Sequence, residues 1–255
     1  MRFGKIEYLN LLPFDVFMKS YKASSSFKMG CNYKKGYPAK LNKDFLFKRI
    51  DSGFISSIAG IYSHYQSKVC QAGIIAYKEV WSVFVLESQQ ADDYQSATSN
   101  ALCAVLDLNG TVLIGDRALK HYYNCLYSNK PQLPYIDMAR AWYDRTRLPF
   151  VFGRACFHSH GTFYKNLIND FNHKLGQGKQ YKGVKIPHYI IMPYVEKIGI
   201  NKQFARKYLQ HIYYTIGAKE KHALMLFYRA LRLKRIKPPK RFYTYSKTNN
   251  SQKGQ

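Results

Sequence analysis

Residues 4–14, which read GKIEYLNLLPF, establish the pattern on which the rest of the fold is built. The alternating apolar residues from Phe3 to Tyr8 predict a strand. This strand stops in a turn that contains Asn10, and Pro13 is typical of the first turn of a helix. An asparagine between leucines is half buried in such a turn, and a half-buried amide needs hydrogen-bond partners. The stretch predicts a strand–turn–helix unit whose turn carries one polar side chain.

The same alternation of strands and helices continues through the first 155 residues. A helix is predicted within residues 41–53, a strand that runs into a helix over 54–64, a bent pair of strands over 72–88, a helix over 95–106, a strand and helix over 111–123, a helix over 135–146 and a strand over 148–155. Three further helices are predicted over 161–175, 201–216 and 219–236. This order predicts an α/β protein with a mostly parallel sheet covered by helices.

Composition limits the class of protein and its location. With 255 residues, 46% hydrophobic and 16% aromatic, the chain forms one large domain or two lobes and is not disordered. No apolar run reaches 18 residues, so no membrane insertion is expected. Lys5 and Glu7 interrupt the start of the chain where a signal peptide is apolar. Five scattered cysteines are typical of reduced thiols, and we expect a cytoplasmic protein.

The chain is strongly basic, with 40 Lys and Arg against 15 Asp and Glu and a formal net charge of +25. Such a charge favours either nucleic acid or small anions as partners. Residues 238–255 form a basic, polar tail that we predict to be disordered. The other charges are spread out with no RNA- or DNA-binding motif between them, so no specific nucleic-acid partner is expected. Contact of the tail with nucleic acid or anionic lipid stays open.

Small hydrogen-bonding side chains follow the predicted strands, where ligands bind in α/β folds. They are Asn10, Ser56, Ser57, Ser82, Ser96, Thr98, Ser99 and Asp116. Ser96, Thr98 and Ser99 stand at a predicted helix start, where hydroxyls and free backbone N–H groups can converge on a carboxylate or phosphate. A single Ser or Thr at such a position usually only caps the helix. Their recurrence at five strand ends predicts an anion-binding pocket.

Six segments in this order resemble a known enzyme family. They are GKIEYLNLLPF, RIDSGFISS, AYKEVWSVFVLES, SATSNALCAVL, VLIGDRAL and AWYDRTRLPFVFG. Over residues 3–155, and more loosely to 235, the chain resembles the chorismate dehydratase family of the futalosine route to menaquinone. The resemblance implies a two-lobed fold like that of type 2 periplasmic binding proteins, with the ligand cleft between the lobes. Residues 1–88 and 151–237 would form lobe 1, and residues 89–150 an inserted lobe 2.

The resemblance implies a hydro-lyase that removes water from chorismate to give 3-[(1-carboxyvinyl)oxy]benzoate. The C4 hydroxyl leaves, the C3 proton is lost and the ring becomes aromatic. Because aromatisation drives the reaction, we expect no cofactor and no metal. The segment CFHSH at residues 156–160 has no partner cluster to complete a metal site.

Three residues are candidates for contact with the reacting atoms. Asn10 can hold the leaving hydroxyl or the enolpyruvyl oxygen, and Ser82 faces the same cleft from the first hinge. Asp116 is a candidate base, although an aspartate at this position also caps a helix. Since the sequence offers no unambiguous protein base, we expect the enolpyruvyl carboxylate of the substrate to remove the proton.

The two carboxylates of the substrate need donors. We assign Ser96, Thr98 and Ser99 to one carboxylate. Ser56 and Ser57 are assigned to the other. Arg154, after the second hinge, is a further candidate for a bidentate carboxylate contact.

Two other functions stay open at this stage. One is a sibling enzyme of the futalosine pathway on the same fold. The other is a non-catalytic cytoplasmic solute-binding protein for aromatic or dicarboxylate ligands. The oligomeric state is not indicated by the sequence.

Overall fold

A computed structural model describes residues 1–176 and 184–240 of the chain. Most of the predicted basic tail, residues 241–255, lies outside the described residues. The described strands are β1 (Phe3–Ile6), β2 (Lys35–Gly36), β3 (Ser52–Ser56), β4 (Val69–Ala76), β5 (Val83–Leu86), β6 (Thr111–Ile114), β7 (Tyr135–Asp137), β8 (Phe150–Phe157) and β9 (Ile212–Thr215).

Helices flank these strands along the chain. They are α1 (Leu12–Ser20), α2 (Ser25–Tyr33), α3 (Pro38–Leu46), α4 (Ile61–Tyr65), α5 (Ala97–Val105), α6 (Gly115–Tyr127), α7 (Met138–Thr146), α8 (Gly161–Leu175), α9 (His188–Ile198), α10 (Lys202–Gln210) and α11 (Ala218–Leu233). A short 3-10 turn at Leu9–Leu11 joins β1 to α1. Among the described residues, no helix combines the length and the apolar character needed to cross a bilayer.

Two sheets organise the described part of the chain. The larger sheet has the strand order β2-β1-β3-β8-β4-β9, and the smaller has the order β6-β5-β7. We call residues 83–146, which contain the smaller sheet and α5 to α7, the small lobe. The large lobe is residues 1–76 and 150–233, which contain the larger sheet.

The prediction of a mostly parallel sheet is wrong. Strand β1 pairs in parallel with β2 and β3, but β8 is antiparallel to both β3 and β4, and β9 is antiparallel to β4. In the small lobe, β5 is antiparallel to both of its neighbours. The reason is the path of the chain: it leaves the larger sheet after β4, forms the small lobe and returns as β8 in the opposite direction. The helix predicted over 201–216 also ends early, because residues 212–215 alternate buried and half-buried side chains as strand β9.

The predicted first lobe boundary, at residue 88, lies after strand β5. This strand pairs with β6 and β7 rather than within the larger sheet. We therefore propose that the first crossing between lobes lies near residues 77–82, and that the second stays near residue 150. Asp137 holds the first crossing, because its Oδ2 accepts hydrogen bonds from the N–H groups of Val80 and Trp81 at 2.9 Å each. Burial raises the pKa of Asp137 to about 6.

An aromatic cluster fixes the first strand–turn–helix unit in the large lobe. The ring of Phe14 lies 5.3 Å from Phe3, 5.2 Å from Phe54 and 5.0 Å from Phe171. Because these rings are buried, they hold α1 against β1 and β3. The turn at residues 9–11 is thereby set at the edge of the cleft.

Candidate active site

A cavity of about 50 Å³ lies between the two lobes and gathers most of the predicted site residues. Its lining includes Asn10, Ser56, Ser82, Ser96 and Ser99. Tyr8, Ile6, Pro38, Ile74, Val80, Val83, Ile114, Gly115, Phe152 and Gly153 complete the walls. The cavity is therefore lined by neutral polar groups on an otherwise apolar surface. None of the described lining residues is an Asp, Glu or His.

Asn10 lines this cavity and has a buried polar atom with no partner in the described part of the chain. The hydroxyl of Tyr214 donates a hydrogen bond of 2.5 Å to the Asn10 carbonyl oxygen, which fixes the backbone of the turn. The residue is 9% exposed, and its Oδ1 has no hydrogen-bond partner within residues 1–176 and 184–240. Buried polar atoms are nearly always paired, so an unpaired one at a cavity wall points to a ligand.

Ser56 is held at the end of β3 by Asn42, a buried residue of α3. The Asn42 Nδ2 donates to Ser56 Oγ at 2.6 Å, and the Ser56 N–H donates to Asn42 Oδ1 at 3.0 Å. Since Ser56 Oγ accepts the bond from Asn42, its own hydrogen can turn toward the cavity. The pair sets up one hydroxyl donor in a fixed position.

Ser96 and Ser99 form a second group at the start of α5. Ser96 caps the helix, because its Oγ accepts a hydrogen bond of 3.0 Å from the Ser99 N–H. It also donates to Ser99 Oγ at 2.8 Å. The capping role considered for this position is confirmed, and both hydroxyls still line the cavity. The positive end of the helix dipole lies at the same place and favours a negative charge.

Ser82 is joined to Tyr208 of α10, a residue that the sequence analysis missed. The Tyr208 hydroxyl donates to Ser82 Oγ at 2.9 Å, and Ser82 Oγ donates to the Val80 carbonyl at 3.4 Å. Burial raises the pKa of Tyr208, so its hydroxyl keeps the proton at neutral pH. The cavity thus receives a hydroxyl backed by a second proton donor.

Asp116 lies beside the cavity and joins the two lobes. Its Oδ1 accepts a hydrogen bond of 3.3 Å from the Leu9 N–H, at the start of the turn that carries Asn10. Burial raises the pKa of Asp116 to about 6. Its neighbour Gly115 lines the cavity, whereas Asp116 is not among the lining residues described. Its contact with the Asn10 turn gives Asp116 a positioning role, and a catalytic role stays a prediction.

Three predicted substrate-binding residues are not brought to the cavity. The Ser57 hydroxyl donates to the Val151 carbonyl at 2.5 Å. The Thr98 Oγ1 accepts from the Ile58 N–H at 3.2 Å. Arg154 is buried and lines a different cavity.

Tyr8 closes the cavity from the side of the large lobe. Its hydroxyl donates to Gln95 Oε1, in the small lobe, at 2.5 Å. Its ring packs on Gly115, where an added Cβ would lie 2.7 Å from two ring carbons. Gly115 also has a φ of +63°, a conformation that glycine adopts without strain. Tyr8 precedes Asn10 by two residues in the quoted stretch, but its contact with residues 95 and 115 is not visible from local sequence.

Several hydrogen bonds cross between the lobes around the cavity. They join Tyr8 to Gln95, Leu9 to Asp116, Ala39 to the Gln95 carbonyl and Ile58 to Thr98. Pockets for small organic ligands occupy roughly 300–1,000 Å³, so this narrow cavity must widen to admit one. The geometry describes lobes that are closed on each other.

A metal site would need several metal-ligating side chains close together. Within residues 1–176 and 184–240, no three side chains of His, Cys, Asp or Glu are grouped so that they could hold a metal ion. His158 of the CFHSH segment instead places its Nε2 2.7 Å from the Phe45 carbonyl and stacks on the Phe45 ring.

A family model for menaquinone biosynthesis matches residues 1–106 and 93–232 of the chain. A chorismate dehydratase of Campylobacter jejuni is 40% identical over 232 residues, which cover 90% of this chain and 97% of the relative. The chain belongs to this menaquinone-biosynthesis family. The resemblance inferred from the six segments is confirmed.

Solved structures show the fold class of the chain. A crystallised protein of Archaeoglobus fulgidus aligns with a TM-score of 0.66 at 14% identity, over 92% of this chain and 97% of that one. The periplasmic aliphatic sulphonate binding protein of Escherichia coli aligns with a TM-score of 0.54 at 12% identity, over 94% of this chain and 89% of its own. The predicted fold class, an α/β fold like that of periplasmic binding proteins, is confirmed.

Proposed function

We propose that this chain is a chorismate dehydratase, a hydro-lyase that converts chorismate to 3-[(1-carboxyvinyl)oxy]benzoate. The 40% identity to a chorismate dehydratase over most of both chains supports this activity. The observation that carries the site assignment is Asn10, a residue of the cavity lining whose buried Oδ1 has no partner among the described residues. The same cavity is rich in hydroxyl groups, as a ligand with two carboxylates and a hydroxyl requires.

In the proposed reaction, the bond between C4 and the hydroxyl oxygen breaks and the C3 proton is removed. The electron pair of the C3–H bond completes the aromatic ring. The departing hydroxyl takes up a proton and leaves as water, so no electron donor or acceptor is required. Aromatisation supplies the driving force, and the protein has to supply orientation and proton transfer.

We assign the departing hydroxyl to Asn10 and Ser82. The amide of Asn10 accepts one hydrogen bond and donates others, so it can fix the C4 hydroxyl in one orientation. Ser82 can donate a hydrogen bond to the leaving oxygen while its own oxygen accepts one from Tyr208, 2.9 Å away. Both hydroxyls keep their protons, and the proton that leaves C3 balances the one that the departing hydroxyl takes up.

The proton at C3 is proposed to pass to the enolpyruvyl carboxylate of the substrate itself. This assignment is supported by the cavity, whose described lining has no Asp, Glu or His. An intramolecular base is effective when the protein holds it close to the proton. Lobe closure around the cavity supplies that constraint and excludes water.

Ser96 and Ser99 are proposed to bind one carboxylate at the start of α5, where the helix dipole adds a favourable charge interaction. Ser56, oriented by Asn42, is proposed to bind the other. The assignments of Ser57, Thr98 and Arg154 to the substrate are not continued. Ser57 and Thr98 are not among the described lining residues of the cavity and are bonded to the large-lobe backbone, and Arg154 lines a separate cavity.

We propose a cytoplasmic location for the protein. The support is chemical: its free cysteines include Cys31, Cys70, Cys103 and Cys156, all buried as thiols, and reduced thiols persist in that compartment. The excess of 25 positive charges would draw the dianionic substrate toward the protein.

The activity can be tested by mixing the purified protein with chorismate. We expect the absorbance of the chorismate diene to fall as an aromatic product appears, and proton NMR should identify that product as 3-[(1-carboxyvinyl)oxy]benzoate. Binding of chorismate without conversion would support a solute-binding protein instead. Turnover of a futalosine derivative but not of chorismate would assign the chain to the sibling enzyme.

A further inference from the structure

A second cavity, of about 560 Å³, lies in the large lobe away from the cleft. It is lined by His64, Ser67, Val69, Cys70, Gln71, Arg154, Lys165, Asn169 and Lys221. This lining has no described residue in common with the cavity between the lobes. Three of the lining side chains are cationic, and none of the described ones is an Asp or Glu.

Arg154 is the unusual member of this cavity. It is only 4% exposed, although a buried guanidinium normally pairs with a carboxylate. Its Nη1 instead contacts the Nδ1 of His64 at 2.8 Å, and its Nε donates to the Cys70 carbonyl at 3.4 Å. Across residues 1–176 and 184–240, Arg154 forms no ion pair with an acidic side chain. Both contacts are with neutral acceptors and leave its charge uncompensated.

A lysine-lined cavity elsewhere in the large lobe provides a contrast. There the buried Lys5 pairs with Asp15 at 2.5 Å, so the protein itself neutralises the buried cation. In the Arg154 cavity the acceptor is His64, and burial together with the charge of Arg154 lowers the pKa of that imidazole. A neutral His64 can accept from Arg154 through Nδ1 and donate from Nε2. The described residues therefore supply no negative charge to compensate that of Arg154.

We propose that this cavity, which we call the Arg154 site, binds a doubly charged oxyanion such as a phosphoryl group or a dicarboxylate. The planar guanidinium of Arg154 matches the paired oxygens of either group. Lys165 on α8 and Lys221 on α11 stand at the lining with exposed side chains and add two charges. Two flexible ammonium groups beside one fixed guanidinium suit a dianion better than a single carboxylate. The site is separate from the proposed catalysis.

The Arg154 site can be tested by calorimetric titration of the whole protein with inorganic phosphate, succinate and acetate. We expect one dianion to bind per chain outside the cleft, with acetate weaker by roughly tenfold because it carries one charge. The tighter of phosphate and succinate identifies the source of the oxyanion. Arg154→Lys keeps the charge but loses the planar fork, and should weaken dianion binding by roughly tenfold or more.

Substitutions at exposed lysines test the Arg154 site even if Arg154→Lys fails to fold. Lys221→Gln should weaken binding by about threefold or more, as expected for one exposed charge contact. Lys219→Gln, the same change on the same helix outside the cavity lining, should stay within about twofold of wild type because its charge is screened by solvent. Chorismate turnover should be unchanged in Lys221→Gln. Equal dianion affinity in Lys221→Gln and Lys219→Gln, or no dianion binding by the wild type, would overturn the proposal.

Discussion

Replacing Asp116 by asparagine should change how stability depends on pH, because this carboxyl group is partly buried beside the cleft. Its pKa is raised from 3.8 to about 6. A raised pKa means that the folded state holds the proton more tightly than the unfolded chain. The tighter binding of this proton by the folded state stabilises the protein fully below pH 3.8, and this stabilisation is lost as the pH rises through 6. With 1.36 kcal/mol for each pKa unit, the loss is about 3 kcal/mol.

The asparagine variant isolates this effect. Asparagine is neutral at every pH, and its Oδ1 can still accept the hydrogen bond from the Leu9 N–H. The stability of Asp116→Asn relative to wild type should therefore increase by about 2.4 kcal/mol between pH 4 and pH 8, since part of the loss already occurs below pH 4. Urea denaturation of both proteins at several pH values measures the difference. Asp144→Asn, at an aspartate whose side chain is 49% exposed, serves as the matched control.

If the difference in free energy of unfolding between Asp116→Asn and wild type stays constant with pH, burial does not raise the pKa of Asp116 and the reasoning is refuted. Chorismate turnover by the Asp116→Asn variant is a second measurement, and it tests the identity of the base. If the substrate carboxylate is the base, Asp116→Asn should keep most of its activity with chorismate. Complete loss of turnover with normal chorismate binding would instead assign the base to Asp116.

Three further predictions concern the cleft and the charge of the protein. Gly115→Ala should lower the free energy of unfolding, measured by urea denaturation, by about 1–2 kcal/mol and should impair turnover, because φ is +63° there and the new Cβ meets the Tyr8 ring. Unchanged stability and activity would contradict the close packing of Tyr8 on Gly115. Tyr208→Phe removes the hydrogen-bond donor to Ser82 and should lower kcat more than it raises KM, with about 1 kcal/mol of stability lost. An unchanged kcat would exclude a role of Tyr208 in orienting Ser82. Raising the ionic strength to about 0.15 M should lower kcat/KM, because screening reduces the attraction of a dianion to a chain of net charge +25. A salt-independent kcat/KM would contradict electrostatic attraction of the substrate by the protein.

The sequence predicted the parts of the fold whose signals are local. The strand and turn at residues 3–11 and the helix that starts after Ser96 depend on neighbouring residues alone, and both were found. The direction of β8 depends on the route of the chain through the small lobe. The strand character of β9 depends on its pairing with β4. Neither of these could be inferred from neighbouring residues.

The site was predicted at the level of strand ends but not of individual side chains. Ser56 and Ser57 are adjacent, yet only Ser56 lines the cavity, because β3 ends at Ser56 and the Ser57 hydroxyl donates to the Val151 carbonyl instead. The partners that orient the hydroxyls, Asn42 and Tyr208, come from distant helices. A single sequence contains no signal for those contacts, whereas Asn10 was identifiable because an amide among leucines is locally anomalous.

Chorismate turnover by Asn10→Ala tests the central claim most directly. The variant removes the side-chain amide of this lining residue and leaves the backbone contact with Tyr214 in place. We predict a kcat at least about 100-fold below wild type, as expected when a substrate loses its orientation, with thermal unfolding near that of wild type. Asn166→Ala, the same substitution at an exposed position of α8, should retain wild-type turnover. Wild-type kcat/KM in Asn10→Ala would contradict the assignment of this cavity as the site of dehydration.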